Sequence, residues 1–298
     1  MIRWLPILLL LPLQATARPD GQLPAYLLEL PASVSTVLVA ETDEATMHRL
    51  ENRPDGIHYV DERYMSIGQN GAGKEQPWDR RTPLGVYFVT ERMDTSRLHE
   101  RYGPVAFPLD YPNIWDRRNH RGGDGIWLHG VDRRGGQRPP LDTDGCLALP
   151  NEEILALEPV LEPTRTPVII AREVRWADPA DIEALRAEVR SAVDAWAESI
   201  RSGDLHRYLS LYADEFTYRG MTRTRWAEYR VATLGARAIE DLQLDDVALL
   251  ADPEEDGLFV SRFEQVTIEA GRKVVTTKRL YWKRDSGGEL RVVAEDNG

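Results

Sequence analysis

The chain has 298 residues, of which 42% are hydrophobic and 29% are charged, and its formal net charge is -12 at pH 7. This length exceeds the ~100–200 residues usual for one domain, so it predicts two domains with packed cores. The negative charge argues against nucleic acids and anionic membrane surfaces as partners, and it leaves small substrates open.

The N-terminus has the pattern of a secretory signal. Arg3 precedes an apolar run from Trp4 to Leu13, and the small residues Ala15-Thr16-Ala17 follow. This pattern predicts a signal peptide over residues 1–17 that is cleaved after Ala17. No later stretch approaches the ~20 apolar residues of a membrane-spanning helix. We therefore expect a mature protein without membrane insertion in the periplasm, where a chain with one cysteine forms no internal disulfide.

The rest of the chain changes character partway along. Residues 34–170 are rich in glycine and proline, and runs such as Val37-Leu38-Val39 and Val86-Tyr87-Phe88-Val89 predict strands between turns. From Asp181 to Ile200 apolar residues recur at helical spacing, behind the start signal Asp178-Pro179. We place a boundary near residues 171–180, between a mainly β domain over 34–170 and a second domain over 181–298.

The first domain contains four segments in a recognisable order. They are Trp78-Asp79-Arg80-Arg81-Thr82-Pro83-Leu84-Gly85-Val86-Tyr87, Tyr111-Pro112-Asn113, Trp127-Leu128-His129-Gly130 and Thr143-Asp144-Gly145-Cys146-Leu147. The set resembles the L,D-transpeptidase catalytic domain, the YkuD-type fold, over roughly residues 34–170. The resemblance implies a mainly β, sandwich-like catalytic domain that attacks peptidoglycan stem peptides through a cysteine thioester.

These segments provide the groups that acyl transfer from an amide requires, namely a nucleophile, a base, an orienting group and oxyanion donors. Cys146, the only cysteine, is the expected nucleophile, and His129 is the expected base. A histidinium partner would lower the thiol pKa and stabilise an ion pair. By the resemblance, the carbonyl of Gly130 or Thr143 orients His129, and amides around Gly145 and Cys146 receive the oxyanion.

Several other residues near the cysteine bear on the substrate. Tyr111 and Trp127 are candidates for substrate contact, although aromatic residues beside strands also pack in cores. Arg81-Thr82-Pro83 reads as a turn. Many transpeptidases of the family have an arginine where this chain has Ala148, and the segment through Asn151 is closer to the subgroup with hydrolytic members. Arginines that could replace the lost carboxylate binder, or form a solvated face, are Arg117, Arg118, Arg121, Arg133, Arg134 and Arg138.

The second domain has its own set of segments. They are Trp196-Ala197-Glu198, the run from Gly203 to Phe216, Trp226-Ala227-Glu228-Tyr229, the run from Val260 to Gln265, and Lys278-Arg279-Leu280-Tyr281-Trp282. These segments resemble the NTF2-like fold, an α+β cone in which helices precede a curved antiparallel sheet. Its aromatic residues line a pocket or pack in a core, and a docking or dimerising role fits a domain without an apparent catalytic set. The domain order is similar to that of the cell-shape L,D-carboxypeptidases of helical bacteria.

The patterns together predict a periplasmic, peptidoglycan-modifying cysteine acyl-transfer enzyme of the L,D-transpeptidase family. If an amine resolves the thioester the protein is a transpeptidase, which is the leading expectation, and if water does it is an L,D-carboxypeptidase or amidase. A non-catalytic cell-wall-binding module is the alternative from another class. A zinc site at Cys146 and His129 is weaker because no second ligand pair appears, and no cofactor is expected. Stem peptides are the expected partners, with a wall-anchored protein or a second copy as candidates for the NTF2-like domain.

Overall fold

The computed structural model describes residues 21–132, 136–235 and 239–298. The predicted signal peptide over 1–17 and two of the candidate arginines, Arg133 and Arg134, lie outside the described residues. Within them, no helix is long and apolar enough to cross a membrane.

The strands and helices follow the chain in the order expected from the sequence, β-rich first and helices before a sheet afterwards. The strands are β1 Leu23–Pro24, β2 Leu27–Glu29, β3 Thr36–Glu41, β4 Thr46–Arg53, β5 Gly56–Tyr64, β6 Ile67–Gly68, β7 Gly85–Phe88, β8 Met93–Asp94, β9 Val105–Pro108, β10 Trp127–His129, β11 Leu141–Thr143, β12 Leu147–Ala148, β13 Pro167–Ala171, β14 Trp176–Ala177, β15 Thr217–Tyr218, β16 Met221–Thr222, β17 Ile239–Ala251, β18 Leu258–Glu269, β19 Arg272–Arg284 and β20 Leu290–Asp296. The helices are α1 Ile114–Arg118, α2 Asn151–Leu157, α3 Pro179–Arg201, α4 Leu205–Ser210 and α5 Arg223–Gly235, with 3-10 turns at Glu100–Tyr102 and Glu158–Val160.

Two larger sheets and a parallel pair of β6 and β11 build the first domain. The larger has the order β5-β4-β3-β13-β7, in which β13 runs parallel to β3 and the other pairs are antiparallel. The smaller has the order β12-β10-β9-β8, with β10 and β12 parallel. Apolar side chains of both sheets and of α2 fill one core between them. This arrangement confirms the predicted mainly β catalytic domain.

The second domain is an α+β cone, as predicted. Its sheet has the order β2-β17-β18-β19-β20 and is antiparallel throughout. Helix α3 begins at Pro179, which suits the first helical turn because proline has no N–H to leave unpaired. The buried stripe of α3 is the one expected from its spacing, and it packs on the sheet through Val189, Val193 and Trp196.

Four aromatic residues of the cone are buried in its core. Tyr208, Tyr212, Trp226 and Trp282 are at most 2% exposed, and they pack against helix α3 and one face of the sheet. The other face of the same sheet lies on the first domain. The cone is therefore filled on one face by its own helices and covered on the other by the catalytic domain.

The two domains share a continuous apolar core. Alternate residues of a strand point to opposite faces, so Leu38 of β3 faces the catalytic core whereas Val37 and Val39 face the second domain. Their partners across the interface include Val260 and Tyr281. Strand β2 strengthens the connection, because it precedes the catalytic domain in the chain and yet pairs with β17 at the edge of the second sheet.

Candidate active site

Strand register brings the predicted nucleophile and base to one place. Strands β10 and β12 are parallel, with Leu128 opposite Leu147, so Cys146 lies opposite Trp127. Because side chains alternate along a strand, Trp127, His129 and Cys146 are on one face. All three line a single cleft of about 1120 Å³.

The main chain orients the ring of His129. Its Nδ1–H donates to the Gly130 carbonyl at 2.5 Å, which leaves Nε2 as the proton acceptor. Gly130 has no room for a side chain, since a Cβ would lie 2.5 Å from Asn151 Oδ1 and 2.7 Å from Pro104 Cδ. Asn151 Oδ1 in turn accepts the Val131 N–H at 2.8 Å. Of the two carbonyls predicted to orient His129, the Gly130 carbonyl makes the contact.

Thr143 and Gly145 shape the turn that carries the nucleophile. The Thr143 hydroxyl donates to the Cys146 carbonyl at 2.7 Å and accepts the Gly145 N–H at 3.1 Å. Gly145 has a φ of 124°, and a Cβ there would lie 2.7 Å from the Arg81 carbonyl, so the position requires glycine. The Gly145 N–H already donates to Thr143 within the turn. Of the two amides predicted to bind the oxyanion, the Cys146 N–H is therefore the one that is available.

Thr82 has a role that its turn-like sequence does not reveal. The Thr82 hydroxyl is fully buried, donates to the Gly145 carbonyl at 3.0 Å and accepts the Gly68 N–H at 3.0 Å. It thereby ties the loop between β6 and β7 to the cysteine turn. The position of Thr82 in the motif around Asp79 is the sequence signal for this role. Spacing alone does not predict a contact between Thr82 and Gly145, which are 63 positions apart.

Aromatic residues form part of the cleft wall. Trp127 lines the cleft, in keeping with its predicted contact with substrate, which stays a prediction. Tyr102, which the sequence did not single out, packs with its ring centroid 4.8 Å from that of Trp127 and 5.2 Å from that of His129. Tyr102 therefore packs against both Trp127 and the imidazole of His129.

Tyr111 occupies a different position from the one predicted. Its side chain is 6% exposed, its ring packs 5.8 Å from that of Tyr87, and its hydroxyl donates to the Gly122 carbonyl at 2.8 Å. It lies behind the cleft wall because its ring fills the core beneath the segment that leads to Gly125. Gly125 itself borders the cleft, and its carbonyl accepts the Cys146 thiol at 3.4 Å.

Burial shifts the pKa of both His129 and Cys146. Desolvation lowers the pKa of His129 to about 4, and the hydrogen bond to Gly130 opposes this only in part. Desolvation raises the pKa of Cys146 to about 11, partly offset by a hydrogen bond from the Trp127 main chain. Both groups are therefore neutral at pH 7. Burial penalises both charges of the thiolate–imidazolium pair that the sequence leads us to expect.

The structure separates the candidate arginines. Arg117 donates to the Pro112 carbonyl, Arg118 to Glu215 and Thr217 of the second domain, and Arg121 pairs with Asp116, all away from the cleft lining. Arg138 does line the cleft, where its guanidinium donates to the Asp142 side chain at 2.5 Å and to the Asp142 carbonyl at 3.0 Å. The cleft also contains cations that the sequence did not single out: Lys74, Arg80 and Arg101.

Across residues 21–132, 136–235 and 239–298, no group of three His, Cys, Asp or Glu side chains could hold a metal ion.

Both domains match known families. Residues 36–170 match the L,D-transpeptidase catalytic domain, YkuD, and residues 188–296 match the Cds6 C-terminal NTF2-like domain. Bd1075 of Bdellovibrio bacteriovorus is similar with 21% identity and a TM-score of 0.76, over 92% of this chain and 97% of that chain. The helical cell shape determining protein Pgp2 of Campylobacter jejuni is similar with 21% identity and a TM-score of 0.74, over 88% and 91%. At such identities the likeness concerns the fold. No curated protein matches the chain.

Proposed function

This chain carries a YkuD-type L,D-transpeptidase catalytic domain followed by a Cds6-type NTF2-like domain, and from that premise we propose that it modifies peptidoglycan by cysteine acyl transfer. The observation that carries the proposal is the cleft that holds Cys146 beside His129, with Nε2 of the histidine left to accept a proton. The predicted signal peptide supports a periplasmic location, where the substrate is found.

The first half-reaction forms a thioester. Cys146 Sγ attacks the carbonyl of the L-centre of a stem-peptide diamino acid, ahead of a D-residue, while His129 Nε2 takes the thiol proton. The Cys146 N–H donates to the oxyanion of the tetrahedral intermediate. When the C–N bond breaks, His129 returns its proton to the departing amine, and the D-residue leaves. Proton transfer accompanies attack because the thiol and imidazole are both neutral beforehand.

For the second half-reaction we favour water as the acceptor, which makes the protein an L,D-carboxypeptidase. Water loses a proton to His129, attacks the thioester carbonyl, and Cys146 leaves as a thiol. Support comes from Ala148, which stands where many transpeptidases have arginine, and from the similarity to a helical cell shape determining protein across both domains. An amine acceptor, hence a transpeptidase, is the second candidate, supported by the family of the catalytic domain.

The proposal is tested by mass spectrometry of muropeptides after incubation with the mature protein or with Cys146→Ala. Disaccharide tetrapeptide is expected to become tripeptide only with intact Cys146. New 3-3 cross-links would support the transpeptidase instead. If neither product forms while stem peptide still binds, the protein is a cell-wall-binding module. A carbapenem provides an independent check, because its strained carbonyl should acylate Cys146 and raise the intact mass of the wild type alone.

A further inference from the structure

Trp78 is the most exposed large apolar side chain among the described residues, at 93%. The contrast with the other domain is large, since Trp196, Trp226 and Trp282 are at most 1% exposed. A tryptophan side chain has 150–250 Å² of mostly apolar surface, and leaving it in water forgoes hydrophobic stabilisation. The structure of the surrounding loop accounts for this exposure.

The loop holds the indole outward by its own hydrogen bonds. Asp79 Oδ1 accepts Lys74 Nζ at 2.7 Å and the Arg81 N–H at 3.1 Å. Asp79 Oδ2 accepts the N–H groups of Glu75 and Gln76 at 2.8 and 3.0 Å. The lysine is only 4% exposed, so the ion pair at the base of the loop is largely shielded from solvent on the lysine side. These hydrogen bonds fix the turn, so Trp78, which precedes Asp79, cannot fold back onto the domain.

The main chain confirms that this conformation is imposed. Trp78 has a φ of 65° and Arg80 a φ of 55°, in the left-handed region that bulky residues avoid. Such strain persists only where surrounding contacts determine it, and it is concentrated at binding and catalytic sites. The loop is also supported from outside, because the Gly122 N–H donates to the Glu75 carbonyl at 2.8 Å.

Trp78 lies at the cleft that holds the catalytic pair. It lines the same cavity as Cys146 and His129, and the polar side chains of Gln69, Arg80 and Asp124 border that cavity as well. Its volume of about 1120 Å³ exceeds the ~300–1,000 Å³ of pockets for drug-sized ligands. The cleft therefore has room for more than the few residues of a stem peptide around the scissile bond.

We propose that Trp78 is a platform for a sugar ring of the glycan to which the stem peptide is attached, an inference that rests on the proposed function. A pyranose has a flat face of C–H groups and a rim of hydroxyls. The indole offers a flat apolar face, and the polar side chains around it offer partners for the hydroxyls. A short stem peptide has small side chains and charged groups, with no flat apolar face to match.

Kinetics with two substrates test the platform. We compare disaccharide tetrapeptide with the sugar-free tetrapeptide, using Trp78→Ala, Trp78→Phe and, as a matched exposed aromatic outside the cleft, Tyr229→Ala. Trp78→Ala should lower kcat/KM for the disaccharide substrate about tenfold, the usual size for loss of an aromatic anchor, and leave the sugar-free substrate nearly unchanged. Trp78→Phe should retain most of the preference. An equal loss on both substrates, or no loss, overturns the proposal.

A binding measurement separates this inference from the proposed reaction. In the Cys146→Ala background, calorimetry with disaccharide tetrapeptide and with free tetrapeptide requires no turnover. Tighter binding of the disaccharide form that Trp78→Ala abolishes supports the platform even if the reaction differs. Equal affinities overturn it, as does a dimer that sedimentation detects in the wild type and that Trp78→Ala dissociates, because the indole would then face a second copy.

Discussion

The cleft of the first domain and the cone of the second both bury polar and aromatic side chains, but with different surroundings. His129 and Cys146 border the open cleft. Burial lowers the pKa of His129 and raises that of Cys146, and both shifts favour the neutral side chain. In the cone, Tyr212 donates to Glu295 at 2.8 Å and accepts from Trp196 Nε1 at 3.0 Å within a packed core. Buried polarity alone therefore does not mark a site. A reactive atom beside unfilled volume does.

The second domain packs closely against the first. Its sheet packs on the outer face of the larger sheet of the first domain, and ion pairs such as that of Arg279 with Asp110 join the two domains beside their shared core. Arg279 also donates to Asp296 Oδ2 at 2.7 Å, which ties the last strand to the interface. The cone thus covers the larger sheet of the first domain, whereas His129 and Cys146 lie on or next to strands of the smaller sheet.

The largest effect should come from the base. His129→Gln removes the proton acceptor and should lower kcat for tripeptide formation by ~10²–10⁴-fold, the usual contribution of general-base catalysis. Muropeptide mass spectrometry measures the rate. His58→Gln, on an exposed side chain that pairs with Asp55, is the matched control and should keep full activity. Similar losses in both variants would remove the distinction between cleft and surface histidines.

The next effect concerns the tie between the two loops. Thr82→Val leaves the Gly68 N–H and the Gly145 carbonyl without their buried partner, which misplaces the cysteine turn. We expect kcat to fall roughly tenfold to a hundredfold, with the rate largely restored in Thr82→Ser. Thr90→Val removes an exposed hydroxyl that donates to a carbonyl and should have little effect. Unchanged activity in Thr82→Val would show that the turn is positioned without this hydroxyl.

In the cone, loss of a buried hydroxyl should lower the stability of the fold without changing the reactivity of Cys146. Tyr212→Phe removes the buried hydroxyl that donates to Glu295 Oε2 and accepts from Trp196 Nε1, at a cost of about 2–3 kcal/mol in the free energy of unfolding. Denaturant unfolding measures that cost, with the exposed Tyr229→Phe as control. The alkylation rate of Cys146 by iodoacetamide should not change. A faster or slower alkylation would mean that the cone network acts on the cleft.

The sequence predicts the structures of the cleft and the cone only in part. Helix α3 follows from helical periodicity and strand β3 from a short apolar, β-branched run, while Cys146 and His129 are predicted from motifs. The pairing of Leu27–Glu29 with a strand more than two hundred positions later has no local signal, because a strand of three residues shows no clear alternation. Likewise the arginines before Cys146 look alike in sequence, and only the folded chain places Arg138 in the cleft.

The electrostatics of the cleft are tested most directly by the pH dependence of the alkylation of Cys146 by iodoacetamide. The thiolate is the reacting species, and burial raises the thiol pKa to about 11. Between pH 6 and 9 the thiolate fraction, and hence the rate, should rise about tenfold per pH unit without a plateau. In the unfolded chain, where burial is absent, the rate should level off above the ordinary thiol pKa of ~8.5. A plateau between pH 5 and 8 in the folded protein would instead indicate a thiolate paired with a charged His129. The stabilisation of that pair would then outweigh the burial that makes both groups neutral.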